Sequence, residues 1–158
     1  MDNVRLGYIG SSSSYSGGIK ERLKYPMAIQ YRDNVNLKAD ELASLFSKSG
    51  IRRPIGDLNR IQRMIDNANL TITAWDGERL VGVARALTDF SYCCYLSDLA
   101  VDGDYQKQGI GRELVRRIKN AIGEEATLVL VSAPEAMPFY PKIGLKAIEN
   151  GWMIKRTK

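Results

Sequence analysis

The 158-residue chain contains no histidine. That absence removes Ser-His-Asp and Cys-His nucleophile systems and the paired-histidine zinc helix, so any general acid or base must be another side chain. Cysteine is nearly as scarce. Cys93 and Cys94 are the two present and are adjacent, a spacing unsuited to a disulfide framework or a tetrahedral zinc site; no metal is expected. Apolar runs are short, Thr127 to Val131 being among the longest, whereas a membrane-spanning helix needs roughly 20 residues. The start, Met1-Asp2-Asn3 followed by polar Ser and Gly, lacks the apolar centre of a secretory leader. With free thiols this leads us to expect a cytoplasmic protein.

The hydrophobic content, 44%, suffices to close one core of this size. We expect residues 1–25, with Ser11 to Ser14 and Gly17-Gly18, to form a loose tail, and residues 26–158 to form a single domain. Lys and Arg number 23 against 18 Asp and Glu, giving +5 and favouring an anionic partner. The basic residues are spread over several elements, not gathered into a stripe with stacking aromatics, which argues against nucleic acid. The arginines at 52, 53, 60 and 63 suit either an acidic substrate or a solvated helix face.

Periodicity predicts a first strand over Met27–Tyr31. A helix capped by Asn36 and ending at Gly50 follows, then a second helix from about Asp57. Period two then predicts strands at Leu70–Ala74 and Leu80–Thr88 around an Asp76-Gly77 turn, and a third at Cys94–Val101. Ile110, Leu114, Val115, Ile118 and Ile122 share one helical face. Ala126–Val131 reads as a strand buried on both faces, Pro134–Lys142 as a short helix, and Leu145–Ile148 with Trp152–Lys155 as a closing hairpin. The order describes an α+β domain: a mixed sheet flanked by helices, whose strand-helix-strand step near 94–131 makes two strands parallel.

Two motifs bear on chemistry. Gln106-Lys107-Gln108-Gly109-Ile110-Gly111 sits between a strand and a helix, where unpaired N–H groups and the helix dipole attract phosphate. A tight turn is the plainer alternative. No Lys-Ser or Lys-Thr follows the second glycine and the spacing is not GxGxxG, so nucleotide hydrolysis and dinucleotide redox chemistry lack support. The second motif is Phe139-Tyr140-Pro141-Lys142-Ile143-Gly144-Leu145, whose aromatics also suit simple packing.

Taken together, Leu99-Ala100-Val101, the Gln106-x-x-Gly109-x-Gly111 pattern and the Phe139-Tyr140 segment some thirty residues later resemble the GNAT superfamily of acyl-CoA-dependent N-acyltransferases, over roughly residues 26–158. The stretch from Arg85 to Gln108 is also similar to plant and bacterial arylalkylamine acetyltransferases. The resemblance implies a mostly antiparallel twisted sheet whose central parallel strands splay apart, and acetyl-CoA as cosubstrate. It implies that Leu99, Ala100 and Val101 meet the pantetheine arm through their backbone, with an amide near Ala100 or Val101 as oxyanion donor. Backbone amides of Gln106, Lys107, Gln108, Gly109, Ile110 and Gly111 would cradle the diphosphate. Lys107, Arg112 and Lys142 would add charge, and Tyr140 would protonate the leaving thiolate. Where family members often carry asparagine before the Phe-Tyr pair, this chain has Ala133, Pro134 and Glu135.

The chemistry asks for such parts on its own account. An alkylamine of pKa about 10.4 is almost wholly protonated near pH 7, a deficit of roughly 4 to 5 kcal/mol. Its proton must go to a base, and Asp98 is the first candidate. A pocket residue near Tyr95 and Ser97, or a water relay, is the alternative. Strict alternation puts Tyr95, Ser97 and Leu99 on one face and Asp98 on the other, and pairing of Asp98 with Arg85 is a purely structural reading. A cysteine nucleophile lacks a histidine to activate it, and both thiols are expected to pack in the strand. The expected activity is direct transfer of acetyl to a primary amine of a small molecule, and Phe90, Tyr92 and Tyr95 favour an aromatic one. Alternatives are a protein or peptide N-acetyltransferase and a non-catalytic acyl-CoA sensor; a homodimer is open through an exposed C-terminal strand.

Overall fold

The computed structural model describes residues 28–158; the expected tail at 1–25 and the first residue of the expected strand at Met27 lie outside the described residues. The chain forms β1 (Gln30–Asp33), α1 (Ala39–Ser49), α2 (Leu58–Asp66), β2 (Leu70–Asp76), β3 (Arg79–Thr88), β4 (Cys93–Val101), α3 (Ile110–Ile122) and β5 (Thr127–Val129). Among the described residues the sheet has five strands in chain order, antiparallel from β1 to β4, with β5 parallel to β4. This is the expected α+β architecture, and α3 is the crossover between the parallel strands. No helix among the described residues is long and apolar enough to cross a membrane.

The sheet separates two apolar layers. On one face Ile110, Leu114, Val115, Ile118 and Ile122 of α3 pack on Ile72, Ala74, Ala84, Ala86, Cys94 and Leu96. On the other, Leu42, Leu45 and Phe46 of α1 and Ile61 of α2 cover Trp75, Val83 and Ala100. Helix α3 lies close to β3 because Gly82 has no side chain: a Cβ there would stand 3.1 Å from Ile110 Cγ2 and 3.2 Å from Leu114 Cδ1. That contact sets the height of the helix start above the sheet.

Several boundaries move. Helix α1 begins at Ala39, not after Asn36; its entry is closed by Glu41, whose carboxylate accepts from the Lys38 N–H at 3.3 Å. It ends at Gly50 in the left-handed conformation, φ +79°, as expected. Asp57 caps α2, accepting from the Arg60 N–H at 2.9 Å. The expected Pro134–Lys142 helix is two short 3₁₀ turns, Pro134–Ala136 and Tyr140–Ile143. Strand β5 is not buried on both faces: Val129 is 38% exposed and Val131 58%. It is an edge strand with three laddered residues.

The expected closing hairpin is absent. Residues 145–158 form no strand, and Trp152 and Ile154 are almost wholly exposed. Alternation alone does not make a hairpin; two strands need a third strand or a covering layer, and no ladder partner lies beyond Val129 on β5. Gly82→Val overfills the α3 contact and is expected to cost about 1–3 kcal/mol, read as a lower midpoint in urea denaturation; an unchanged midpoint would show that α3 does not sit where described.

Candidate active site

The exit of β4 leads through a 3₁₀ turn, Gly103–Tyr105, into α3. Gln106 ties this exit down. Its N–H donates to the Gly103 carbonyl at 3.4 Å, and its Nε2 donates to the carbonyls of Val101 at 3.0 Å and Ser49 at 3.3 Å. From Lys107 to Arg112, no backbone N–H has a protein acceptor among the described residues; pairing resumes at Glu113, which donates to Gly109 at 3.0 Å. The open run of amides therefore begins one residue later than expected, and Arg112 contributes its backbone as well.

The two glycines answer different demands. Gly109 has φ +87° with open space where a Cβ would be, so its role is conformational. Gly111 makes room: a Cβ would lie 3.3 Å from Phe139 Cζ and 3.8 Å from Val101 Cγ2. Phe139 thus packs on the first turn of α3, joining the two sequence motifs in space. Lys107 also turns left-handed, φ +62°. The Ile110 side chain is buried in the α3 layer, leaving only its amide available.

Strands β4 and β5 pair through Cys93, Cys94 and Tyr95 and then part. From Leu96 to Val101 the β5-facing edge of β4 has no strand partner. Leu99 and Val101 lean on the α3 layer and Ala100 on the α1 layer. A groove of about 1040 Å³ runs between α3, the β5 segment and residues 137–148, and no residue of β4 is on its walls. Its walls include Arg112, Val115, Lys119, Leu128, Leu130, Tyr140 and Lys142. Of the expected site residues it brings together Arg112, Tyr140 and Lys142, and the Arg112 guanidinium reaches the Lys142 carbonyl at 3.4 Å. Leu99–Val101 and Lys107–Gly111 are not on its walls.

Tyr140 is half-buried and meets Phe139 edge-on, ring centres 5.3 Å apart. Burial pushes its phenol above the ordinary value of 10. Its hydroxyl makes no hydrogen bond to protein among the described residues.

Asp98 has a different setting from the one expected of a base. β3 pairs Arg85 with Asp98 and then Ala86 with Leu96, leaving Ser97 as an unpaired bulge residue. The bulge resets the alternation. Cys94 and Leu96 face α3, whereas Asp98 and Ala100 face the α1–α2 side, and Tyr95 does not share a face with Leu99 as strict alternation implied. The Asp98 side chain has no exposed surface, and its two oxygens accept from Arg53 Nε and Arg85 Nε, each at 2.5 Å. Arg53 also donates to the Ser97 carbonyl at 2.8 Å, and Arg85 to Ser97 Oγ and the Met64 carbonyl, both at 3.0 Å. Asp98 is therefore enclosed, with no side-chain surface open to an amine, and two guanidiniums hold it and the bulge together. Arg85 was foreseen as a partner, but Arg53, 45 residues away in sequence, had no local signal. Cys94 is buried, which raises its thiol pKa, while Cys93 is exposed instead of packed.

The fold, a five-stranded sheet with helices on both faces, recurs among solved structures. The fold is similar to that of a probable acetyltransferase, SA2161, from meticillin-resistant Staphylococcus aureus, with a TM-score of 0.70 at 23% identity over 81% of this chain and 99% of that one. An aminoglycoside acetyltransferase from a soil metagenomic sample, in complex with trehalose, shows a TM-score of 0.59 at 21% identity, over 82% of this chain and 96% of that one. The family model for the acetyltransferase (GNAT) domain matches residues 43–152. The chain belongs to this family and is an acetyl-CoA-dependent N-acetyltransferase. Among sequence relatives, an uncharacterized N-acetyltransferase ycf52 of Pyropia yezoensis is 27% identical over 130 residues, 73% of this chain and 72% of that protein. The chloroplastic GCN5-related N-acetyltransferase 2 of Arabidopsis thaliana is 31% identical over 83 residues, 48% of this chain and 32% of that protein.

Removing one member of a buried ion pair typically costs about 3–5 kcal/mol. Asp98→Asn is accordingly expected to lower the denaturation midpoint sharply while leaving the acid limb of the pH–rate profile in place. A stable Asp98→Asn protein that has lost that limb would restore Asp98 as the base.

Proposed function

We propose that this enzyme transfers acetyl directly to a primary amine of a small molecule, with Tyr140 as general acid. The observation that carries the reading is the run of unpaired amides from Lys107 to Arg112 at the start of a 13-residue helix, beside the unpartnered edge of β4. Such amides suit a diphosphate, because each is a donor without a protein acceptor and the helix dipole adds favourable field. The residues present therefore fit acetyl-CoA, which supplies an activated acetyl thioester when bound. The Lys107–Arg112 amides would hold its diphosphate, with the side chains of Lys107, Arg112 and Lys142 adding positive charge. Leu99, Ala100 and Val101 offer backbone along the open edge of β4, where an N–H donor can take up charge developing on a carbonyl oxygen.

Tyr140 holds its proton at the phenolic oxygen to higher pH than a free tyrosine and can donate it to a thiolate. The amine's proton is assigned to a water relay, since Asp98 is enclosed and Ser97 Oγ already accepts from Arg85. No step here calls for a metal.

On the acceptor, Leu87, Tyr95 and Val129 are directly paired neighbours across β3, β4 and β5, exposed by 41%, 44% and 38%. This apolar row, with Phe90 and Tyr92 on the adjoining loop, supports an amine attached to an apolar or aromatic group, in keeping with the arylalkylamine likeness. Two arginines on one carboxylate leave local positive charge on the same face, which disfavours polycationic acceptors. We further propose one catalytic domain, a reducing cytoplasmic setting for the free thiols Cys93 and Cys94, and self-association through the open β5 edge. Sedimentation equilibrium is expected to give a dimer, and a monomer at every concentration removes that last element.

Tyr140→Phe is expected to lower kcat about a hundred- to ten-thousand-fold while calorimetric CoA affinity holds. In the wild type, the activity loss assigned to Tyr140 comes as pH rises through its raised pKa, above the ordinary phenol value of about 10. Unchanged turnover, measured as thiol release from acetyl-CoA over an amine panel, would remove Tyr140 from the mechanism. Loss of CoA binding in the wild type would remove the reading as a whole.

A further inference from the structure

We infer that Asp102 is a positioning residue for the diphosphate loop, acting with Arg79, Tyr105 and Asp76 to fasten that loop to the β2–β3 turn. The inference rests on the proposed role of Lys107–Arg112 as the diphosphate cradle.

Asp102 is the first residue after β4 and is 2% exposed, although it is charged. Each of its polar groups is engaged. One carboxylate oxygen accepts from Arg79 Nη2 at 2.8 Å and the other from the Asp104 N–H at 3.1 Å. Its own N–H donates to the Val81 carbonyl at 2.9 Å, and its carbonyl accepts from the Tyr105 N–H at 2.8 Å. The Arg79 guanidinium lies over the Tyr105 ring at 5.2 Å, and the Tyr105 hydroxyl donates to Asp76 Oδ2 at 2.6 Å. Both ends of the β2–β3 turn thus grip the segment immediately before the open amides.

Charge shows what this network is for. Asp76, Asp102 and Asp104 stand against Arg79 alone among these groups, so the base of the loop is locally anionic. A site that drew a diphosphate chiefly by side-chain charge would not place three carboxylates behind it. The attraction then rests chiefly on backbone N–H groups, with the cationic side chains adding to it, and its strength depends on how little ordering is left to binding. Lys107 and Gly109, both left-handed, give the loop its shape; the Asp102 network keeps that shape from relaxing when no ligand is present.

The test uses the full chain and two acetyl donors, acetyl-CoA and S-acetylpantetheine, which lacks the diphosphate, with the amine most active in the panel. Asp102→Asn keeps the side chain's shape and removes the charge-assisted bond to Arg79; Tyr105→Phe removes only the link to Asp76. We expect Asp102→Asn to raise KM for acetyl-CoA about tenfold and Tyr105→Phe about threefold, with kcat within twofold and kcat/KM for S-acetylpantetheine unchanged. Calorimetric CoA affinity should fall in parallel. Should Asp102→Asn not fold, Tyr105→Phe decides alone. Unchanged KM for acetyl-CoA in a folded variant, or equal losses with both donors, overturns the positioning role. A wild type that uses the two donors equally well fails at an earlier point, because the loop then does not grip the diphosphate at all.

Discussion

Strands β4 and β5 share three residue pairs and then separate, and the rest of the site follows from that parting. A β-strand edge left without a neighbour exposes backbone groups that must be satisfied by water, side chains or a ligand. Here the parting occurs inside the fold, with α3 on one side of the sheet and α1 and α2 on the other. At the same end, the helix start adds its own unpaired N–H groups. Two sets of open backbone thus converge because one crossover, β4–α3–β5, produces both.

The packing around the parting keeps it in place. Gly82 lets α3 settle onto β3 and Gly111 lets Phe139 settle onto α3, so the helix start is located from both sides by close contacts that a side chain would crowd. On the α1–α2 face of the sheet, the bulge at Ser97 turns Asp98 inward between Arg53 and Arg85. A buried carboxylate is costly unless paired and hydrogen-bonded; with two guanidiniums it ties the α1–α2 connection to the strand that borders the open edge. Tyr140 is arranged by a different means. Partial burial favours its neutral form, which suits the proton-donor role proposed for it.

Much of this was legible in advance. The strand and helix order through β5, the parallel crossover and the glycine-rich helix start all followed from periodicity and from where Gly50, Gly77, Gly109 and Gly111 fall. Period-two reasoning failed at Ser97 because one bulge residue exchanges the faces of every residue beyond it, and nothing in Ser97-Asp98 announces a bulge. It failed again at Leu145–Ile148 and Trp152–Lys155, where alternation was present but no ladder formed. The apolar run at Ala126–Val131 was read as a buried strand, yet burial depends on neighbours, and β5 has a strand partner on one side only.

What the chain's local chemistry determined by itself was therefore the succession of elements from β1 to β5, the exclusion of histidine-dependent nucleophile systems, and the glycine-rich helix start after Gln106, since helix starts and glycine turns are decided within a few residues. What tertiary structure alone decided was the state of each titratable group. Asp98 became a clamp because Arg53, 45 residues distant, folds back onto it, and Asp102 became a buried anchor because Arg79 of the neighbouring hairpin reaches it. Burial and ion pairing are properties of surroundings, and surroundings are assembled from residues far apart in sequence.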